Sequence, residues 1–255
     1  MIDTHAHLHL IKREPSEILQ AAKESGVRHI IQVAIDFESI HQNISDYSDL
    51  QDVSITGGIH PLSVNSTLDI DLVMDYLSNH RDALVAIGET GLDYKYGKKT
   101  KPLQLAWFHA QLDLARRINK PVIIHSRHAD EDMLAVVNQY PDVPKVFHCY
   151  ATHVDFFDAL VGSYNYVSFT GMITYAKKGK VANSVRKIPL DRMMIETDAP
   201  YLLPKGVLAD QNAPEYVSHI AEHIAVLKKL SIADVVQQTT QTACEFFNIN
   251  IPSSL

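Results

Sequence analysis

Met1-Ile2-Asp3-Thr4-His5-Ala6-His7-Leu8 opens the chain, and the reading of this stretch decides the fold. A short apolar lead delivers two histidines two residues apart. On an extended strand alternate side chains share a face, so His5 and His7 project together. Two neutral imidazoles side by side suit one divalent ion, but two ligands do not complete a site. The plain alternative is a pair of surface histidines near a terminus. Which reading holds depends on whether the rest of the chain supplies further ligands.

Composition bounds the answer. With 255 residues and 46% hydrophobic content, the chain can bury the core of one large α/β domain. No linker-like run, internal repeat or low-complexity tract interrupts it, so a single domain over 1–255 is expected. Cys149 and Cys244 are too few for a disulfide framework and lack paired zinc spacing. No apolar run approaches the roughly 20 residues of a membrane span, and no signal-peptide pattern follows Met1. A cytoplasmic protein without membrane association is expected, and nothing in the sequence calls for an obligate protein partner. The net charge of −7 argues against a generally basic, nucleic-acid-coating surface, while leaving room for a local basic patch.

Short β-rich runs alternate with longer helical patterns. Strands are expected at 2–4, 29–33, 54–58, 84–88, 122–124, 145–147, 166–169 and 193–196. Helices are expected at 14–25, 37–47, 70–79, 103–118, 131–139, 154–161, 181–187, 215–229 and 232–247. Within 103–118, Leu105, Phe108, Leu112 and Ala115 recur at three- and four-residue steps, and Ser231 reads as an N-cap. Apolar strands separated by helices indicate a parallel sheet. Eight such units at this length point to a closed (β/α)₈ TIM barrel, with a doubly wound open sheet as the alternative.

Polar residues fall where the expected strands end. The first strand runs into His5 and His7, the third into His60, the fourth into Glu89, the fifth into His125, the sixth into His148 and the eighth into Glu196 and Asp198. A barrel gathers its strands' carboxyl ends around one mouth, where active sites lie. For His29, His41, His80, His109, His153, His219 and His223, in helical or loop patterns, an ordinary hydrogen-bonded histidine is the better reading. Four histidines and two carboxylates exceed one tetrahedral ion and suit two, with a carboxylate between them. Paired ions stabilise the attacking and leaving oxygens of a hydrolytic displacement. Asp198 suits either ligation or proton abstraction from the attacking water. Glu196 suits catalysis or a core salt bridge.

These residues also carry a family resemblance. Asp3-Thr4-His5-Ala6-His7, Gly58-Ile59-His60-Pro61, Ile87-Gly88-Glu89-Thr90-Gly91-Leu92-Asp93, Ile124-His125-Ser126-Arg127, Phe147-His148-Cys149 and Glu196-Thr197-Asp198-Ala199-Pro200-Tyr201-Leu202, in this order, resemble the TatD family of metal-dependent hydrolases. The likeness spans nearly the whole chain. It implies an amidohydrolase-like TIM barrel, two divalent metal ions (Mg, Mn or Zn) and a deoxyribonuclease-type phosphodiesterase. By the resemblance, His5, His7, Glu89 and Asp198 hold one ion, and Glu89 bridges to a second held by His125 and His148. His60 and Arg127 match positions suited to substrate phosphate. The chain departs from the family pattern at Tyr150-Ala151-Thr152, in the arginine-free loop from Lys205 to Pro214, and at Thr242. None of these removes a metal ligand; the loop bears on how a long polyanion is held.

DNA or an oligonucleotide is the expected substrate partner. A related hydrolase of small amides, lactones or phosphate esters is the alternative, since a barrel does not dictate its substrate. A non-catalytic metal-binding scaffold is the third. Many amidohydrolases bridge their metals with a modified lysine where this chain has Glu89, which favours the first. Two lysine segments supply basic charge: Lys95, Lys98, Lys99 and Lys101 with Tyr94 and Tyr96, and Lys177, Lys178 and Lys180 beside Tyr175. Both are expected at the mouth, as a phosphate track with tyrosines for stacking.

Overall fold

The computed structural model describes residues 1–176 and 178–251. Strands and helices alternate from the start: β1 (Ile2–Ala6), α1 (Pro15–Glu24), β2 (His29–Gln32), α2 (Phe37–Tyr47), β3 (Val53–Gly57), α3 (Ile70–Asn79), β4 (Leu84–Asp93) and α4 (Lys101–Ile118). There follow β5 (Val122–Arg127), α5 (Asp130–Val137), β6 (Lys145–Phe147), α6 (Val154–Asp158), β7 (Asn165–Phe169), α7 (Lys180–Lys187), β8 (Met193–Ile195), α8 (Ser218–Lys228) and α9 (Ile232–Phe247). All eight strands belong to one sheet whose order follows the chain, β1 through β8. A doubly wound sheet reverses its order at a switch point, so this order excludes it and leaves the (β/α)₈ fold.

Chain contacts divide the molecule into two compact units. The first holds Met1–Gln32, Cys149–Phe157 and Val167–Leu255. Here β1 runs parallel to β2, with Ile2 opposite His29, and β7 parallel to β8, with Val167 opposite Met193. The segment after β8 is tied to the end of β1: Asp198 N–H donates to the His5 carbonyl and His7 N–H to the Ala199 carbonyl, both at 2.8 Å. Ile2, Ile30, Ile31, Val167, Phe169, Met194 and Ile195 are buried, as strands covered on both faces require. Ser231 caps α9, its Oγ accepting from Asp234 N–H at 3.0 Å. The expected helix at 215–229 divides into a short 3₁₀ turn at Pro214–Tyr216 and then α8.

The second unit holds Val33–His148 and Asp158–Tyr166. Asp36 and Ser39 form a reciprocal cap on α2, and Asp69 caps α3. In α4, which begins two residues earlier than expected, Pro102 occupies the first turn, where its missing N–H costs nothing. The helix expected to reach residue 161 stops at Asp158. Asn138 explains the stop: its side chain donates to the Ala159 carbonyl at 3.3 Å and accepts from Val161 N–H at 2.9 Å.

The largest departure is β4, which continues five residues past its expected end to Asp93. Its pairing with β5 shifts between Ile87 and Thr90, then resumes as Thr90↔Ile124, Gly91↔His125, Leu92↔Ser126 and Asp93↔Arg127. In the shifted stretch Glu89 N–H donates to the Ala34 carbonyl at 2.9 Å. Such bulges re-aim a side chain, and the one re-aimed here is Glu89. Beyond it, Gly91 has φ +139°, and a Cβ there would lie 2.0 Å from the His125 carbonyl oxygen. Only glycine lets the two strands approach so closely.

Candidate metal centre

In the first unit, β1 presents both histidines. Their Nε2 atoms lie 3.3 Å apart, and Asp198 Oδ1 stands 3.8 Å from His5 Nε2 and 3.4 Å from His7 Nε2. His5 and His7 are buried, while Asp198 retains some exposure. Asp198 has φ +58°, a left-handed conformation that Asp tolerates better than most residues. Beneath it, buried Asp3 accepts from Thr197 N–H at 2.9 Å, from Thr197 Oγ1 at 2.5 Å and from His5 N–H at 3.3 Å. Burial pushes the Asp3 carboxyl up to about 7, against those hydrogen bonds. Asp3 thus clamps the backbone of β1 to the segment carrying Asp198.

Glu196 is buried in the same unit. One carboxylate oxygen accepts from Cys149 N–H at 2.6 Å and the other from Ser168 Oγ at 2.5 Å. Cys149 itself has φ +47°. The carboxylate therefore fastens the left-handed turn after β6 and the middle of β7 to the end of β8.

In the second unit, three side chains meet at one oxygen. Glu89 Oε1 lies 2.8 Å from His125 Nδ1 and 2.8 Å from His148 Nε2, and those two nitrogens are 3.3 Å apart. His60 Nε2 stands 3.6 Å from the same oxygen, with its ring centroid 4.5 Å from that of His125. His60 thus stands among possible metal ligands with Glu89 and His125. Burial pushes the Glu89 carboxyl up, but the His148 and His60 imidazoles and the polar contacts with His125 and His148 outweigh it, holding it well below the carboxylate range.

Donors bound to a common ion at about 2.1 Å stand roughly 3.0–3.4 Å from one another. The separations bracket that span in the second unit, at 2.8–3.6 Å, and run from its upper end to just beyond it in the first, at 3.3–3.8 Å. Mixed imidazole and carboxylate donors suit Zn, Mn and related divalent ions. Each set therefore fits a metal by the kind and spacing of its donors.

Asp93 escaped the sequence reading as a site residue, appearing there only as the last residue of the Ile87–Asp93 motif. It is buried at the end of β4, with Oδ2 3.2 Å from His125 Nε2 and Oδ1 accepting from Tyr96 N–H at 2.9 Å. His125 Nε2 and the hydrogen bond from Tyr96 lower the Asp93 carboxyl against its own burial. The two carboxylates flanking His125 raise its imidazole against burial. Arg127 is exposed, its guanidinium 4.9 Å from the Tyr96 ring centroid, with Lys95 Nζ 5.5 Å from the same ring. Lys101 is engaged by Asp132 at 2.6 Å. Lys95, Lys98, Lys99, Lys178 and Lys180 are exposed, and Lys177 lies outside the described residues.

An eight-stranded parallel βα fold with histidine–carboxylate sets at its strand ends defines the class of metal-dependent hydrolases. The family model described as TatD related DNase matches residues 2–248. An "uncharacterized metal-dependent hydrolase YabD" of Bacillus subtilis (strain 168) is 33% identical over 98% of this chain and 100% of its own length. The "3'-5' ssDNA/RNA exonuclease TatD" of Edwardsiella piscicida is 32% identical over 76% of this chain and 77% of its own. Among solved structures, the TatD homologue YjjV of Escherichia coli K12 superposes with a TM-score of 0.90 at 26% identity, covering 98% of both chains. The chain belongs to the TatD family of metal-dependent hydrolases.

Proposed function

We propose that this protein is a divalent-metal-dependent nuclease that hydrolyses phosphodiester bonds of DNA or oligonucleotides. The observation that carries the reading is the meeting of His125 Nδ1 and His148 Nε2 on Glu89 Oε1, at 2.8 Å each. The name of the Edwardsiella relative supports the nucleic-acid substrate. His5, His7 and Asp198 would hold one ion and Glu89, His125 and His148 a second. Two divalent ions supply charge for the attacking and leaving oxygens and lower the pKa of water.

The remaining steps belong to the protein. Asp198 takes the proton of the attacking water. His60 and Arg127 bind the non-bridging phosphate oxygens. The Arg127 guanidinium stands 4.9 Å from the Tyr96 ring centroid, a cation–π contact. Glu196 accepts from the Cys149 backbone N–H and the Ser168 hydroxyl while Asp198 does the proton transfer. The lysines near Tyr96 and Tyr175 bind flanking phosphates.

The test uses end-labelled single- and double-stranded DNA and RNA with metal-stripped protein, restored separately with magnesium, manganese and zinc. Shortening of at least one polymer, dependent on metal, is expected. Turnover of small esters or amides with all four polymers untouched would replace the nuclease reading with a small-molecule hydrolase.

A further inference from the structure

The His125 ring stands between two carboxylates, and its two nitrogens face different partners. Nδ1 points to Glu89 Oε1 at 2.8 Å and His148 Nε2 at 3.3 Å, whereas Nε2 points to Asp93 Oδ2 at 3.2 Å. We propose that Asp93 is a positioning residue that keeps the ring proton of His125 on Nε2 and so turns the Nδ1 lone pair toward Glu89 and His148. The proposal rests on the metal reading above, and concerns the second ion of that reading.

Asp93 is suited to the task because its own position is fixed on three sides. Its Oδ1 accepts from Tyr96 N–H at 2.9 Å, and its backbone N–H donates to Gln104 Oε1 at 2.9 Å. Gln104, fully buried on α4, returns its amide N–H to the Asp93 and Gly97 carbonyls at 3.1 and 2.9 Å. The carboxylate is an acceptor only, so Nε2 meets it as a donor. A neutral imidazole carries one proton, and placing it on Nε2 leaves Nδ1 as the electron-pair donor. Glu89 competes less well for that proton, because the same Oε1 also faces His148 and His60. Carboxylates behind a ligating histidine fix its tautomer and raise its basicity in this manner.

The arrangement makes an unusual ordering of variants. A backbone N–H can only donate, so Tyr96 would orient the amide introduced by Asp93→Asn with its oxygen toward Oδ1's place. The NH₂ would then face His125 Nε2 and force the ring proton onto Nδ1. Asp93→Ala leaves the tautomer unconstrained. A merely structural role would make the isosteric Asn variant the milder one; the tautomer role makes it at least as severe as Ala.

Zinc affinity of the metal-stripped protein, measured by competition with a chromophoric chelator, tests this. Long-range ¹⁵N–¹H NMR of the zinc-loaded protein reads which His125 nitrogen keeps its proton. Affinity for the second zinc should fall about 10–100-fold in Asp93→Asn, no less than in Asp93→Ala, with the first zinc unaffected. In the unaltered protein the retained proton should be on Nε2. An Asp93→Asn variant that binds the second zinc normally, or better than Asp93→Ala, overturns the proposal while the metal reading stands. An unaltered protein that takes up no zinc, manganese or magnesium overturns the metal reading and the proposal with it.

Discussion

Asp198 combines three properties: a left-handed backbone, a carboxylate oxygen within 3.4–3.8 Å of two imidazoles, and a partly open side chain. The backbone pose aims the carboxylate while the His5 carbonyl holds its N–H. Asp198→Asn preserves shape and removes charge, so turnover should fall by about 100-fold or more if this group takes the proton. Circular dichroism should show an unchanged fold; near-normal turnover would assign the base elsewhere. His125→Ala and His148→Ala act differently. Each should reduce metal content by about one equivalent per chain, read by elemental analysis, with activity partly restored at high metal concentration. The paired outcome separates a ligand from a base at single residues.

Strands set which of these residues can meet. Gly91 has neither the space nor the dihedral for a side chain. Gly91→Ala should therefore cost roughly 3 kcal/mol or more, since strain and overpacking add. Urea unfolding would show a lowered midpoint, and second-site metal affinity should drop because β5 carries His125. Lys145 opens β6 fully buried, its Nζ donating to the Tyr140 and Val143 carbonyls at 2.6 Å each. Burial pushes its ammonium down to about 8, from 10.5 in the unfolded chain. Between those pH values the unfolded chain holds the extra proton, so this group makes stability rise with pH, by up to about 1.4 kcal/mol per unit. Below about pH 8 it adds no slope. The difference between unaltered protein and Lys145→Met, measured by urea unfolding at pH 7 to 10.5, should show that rise and vanish below its lower end. Elements also govern how much was legible beforehand. His5, His7, His125 and His148 stood out because each stands at the end of a short β-rich run. Asp93 did not, because Gly88 read as the end of its strand and the register shift between Ile87 and Thr90, beyond which the strand runs on to Asp93, leaves no mark in the sequence. Glu196's engagement with Cys149 N–H and Ser168 was equally hidden, since the partner donor is backbone and lies 47 residues away.

For the molecule as a whole, the fold does not depend on its proposed ions in the way its chemistry does. The buried residues that hold each unit together, Trp107, Phe108 and Phe147 in one and Ile2, Ile30 and Phe169 in the other, are apolar. Chelation should therefore abolish hydrolysis while lowering the unfolding temperature only by the linkage of bound ligand. Equal loss of both would show that the ions are structural. A net charge of −7 sets the last problem, because an acidic protein must engage a polyanion locally. Exposed Lys98, Lys99 and Lys178 are the groups proposed to do so. Each phosphate contact on a single strand releases counterions and adds about 0.7 to the slope of log affinity against log salt. Replacing all three with alanine should flatten that slope by up to about 2 and weaken oligonucleotide binding at low salt. Hydrolysis of a small phosphodiester without flanking phosphates should change little, because it uses only the metal ligands, Asp198 and the groups beside them. An unaltered salt slope in the triple variant would show that these lysines are ordinary solvated charge and that the substrate is not a long polyanion held by them.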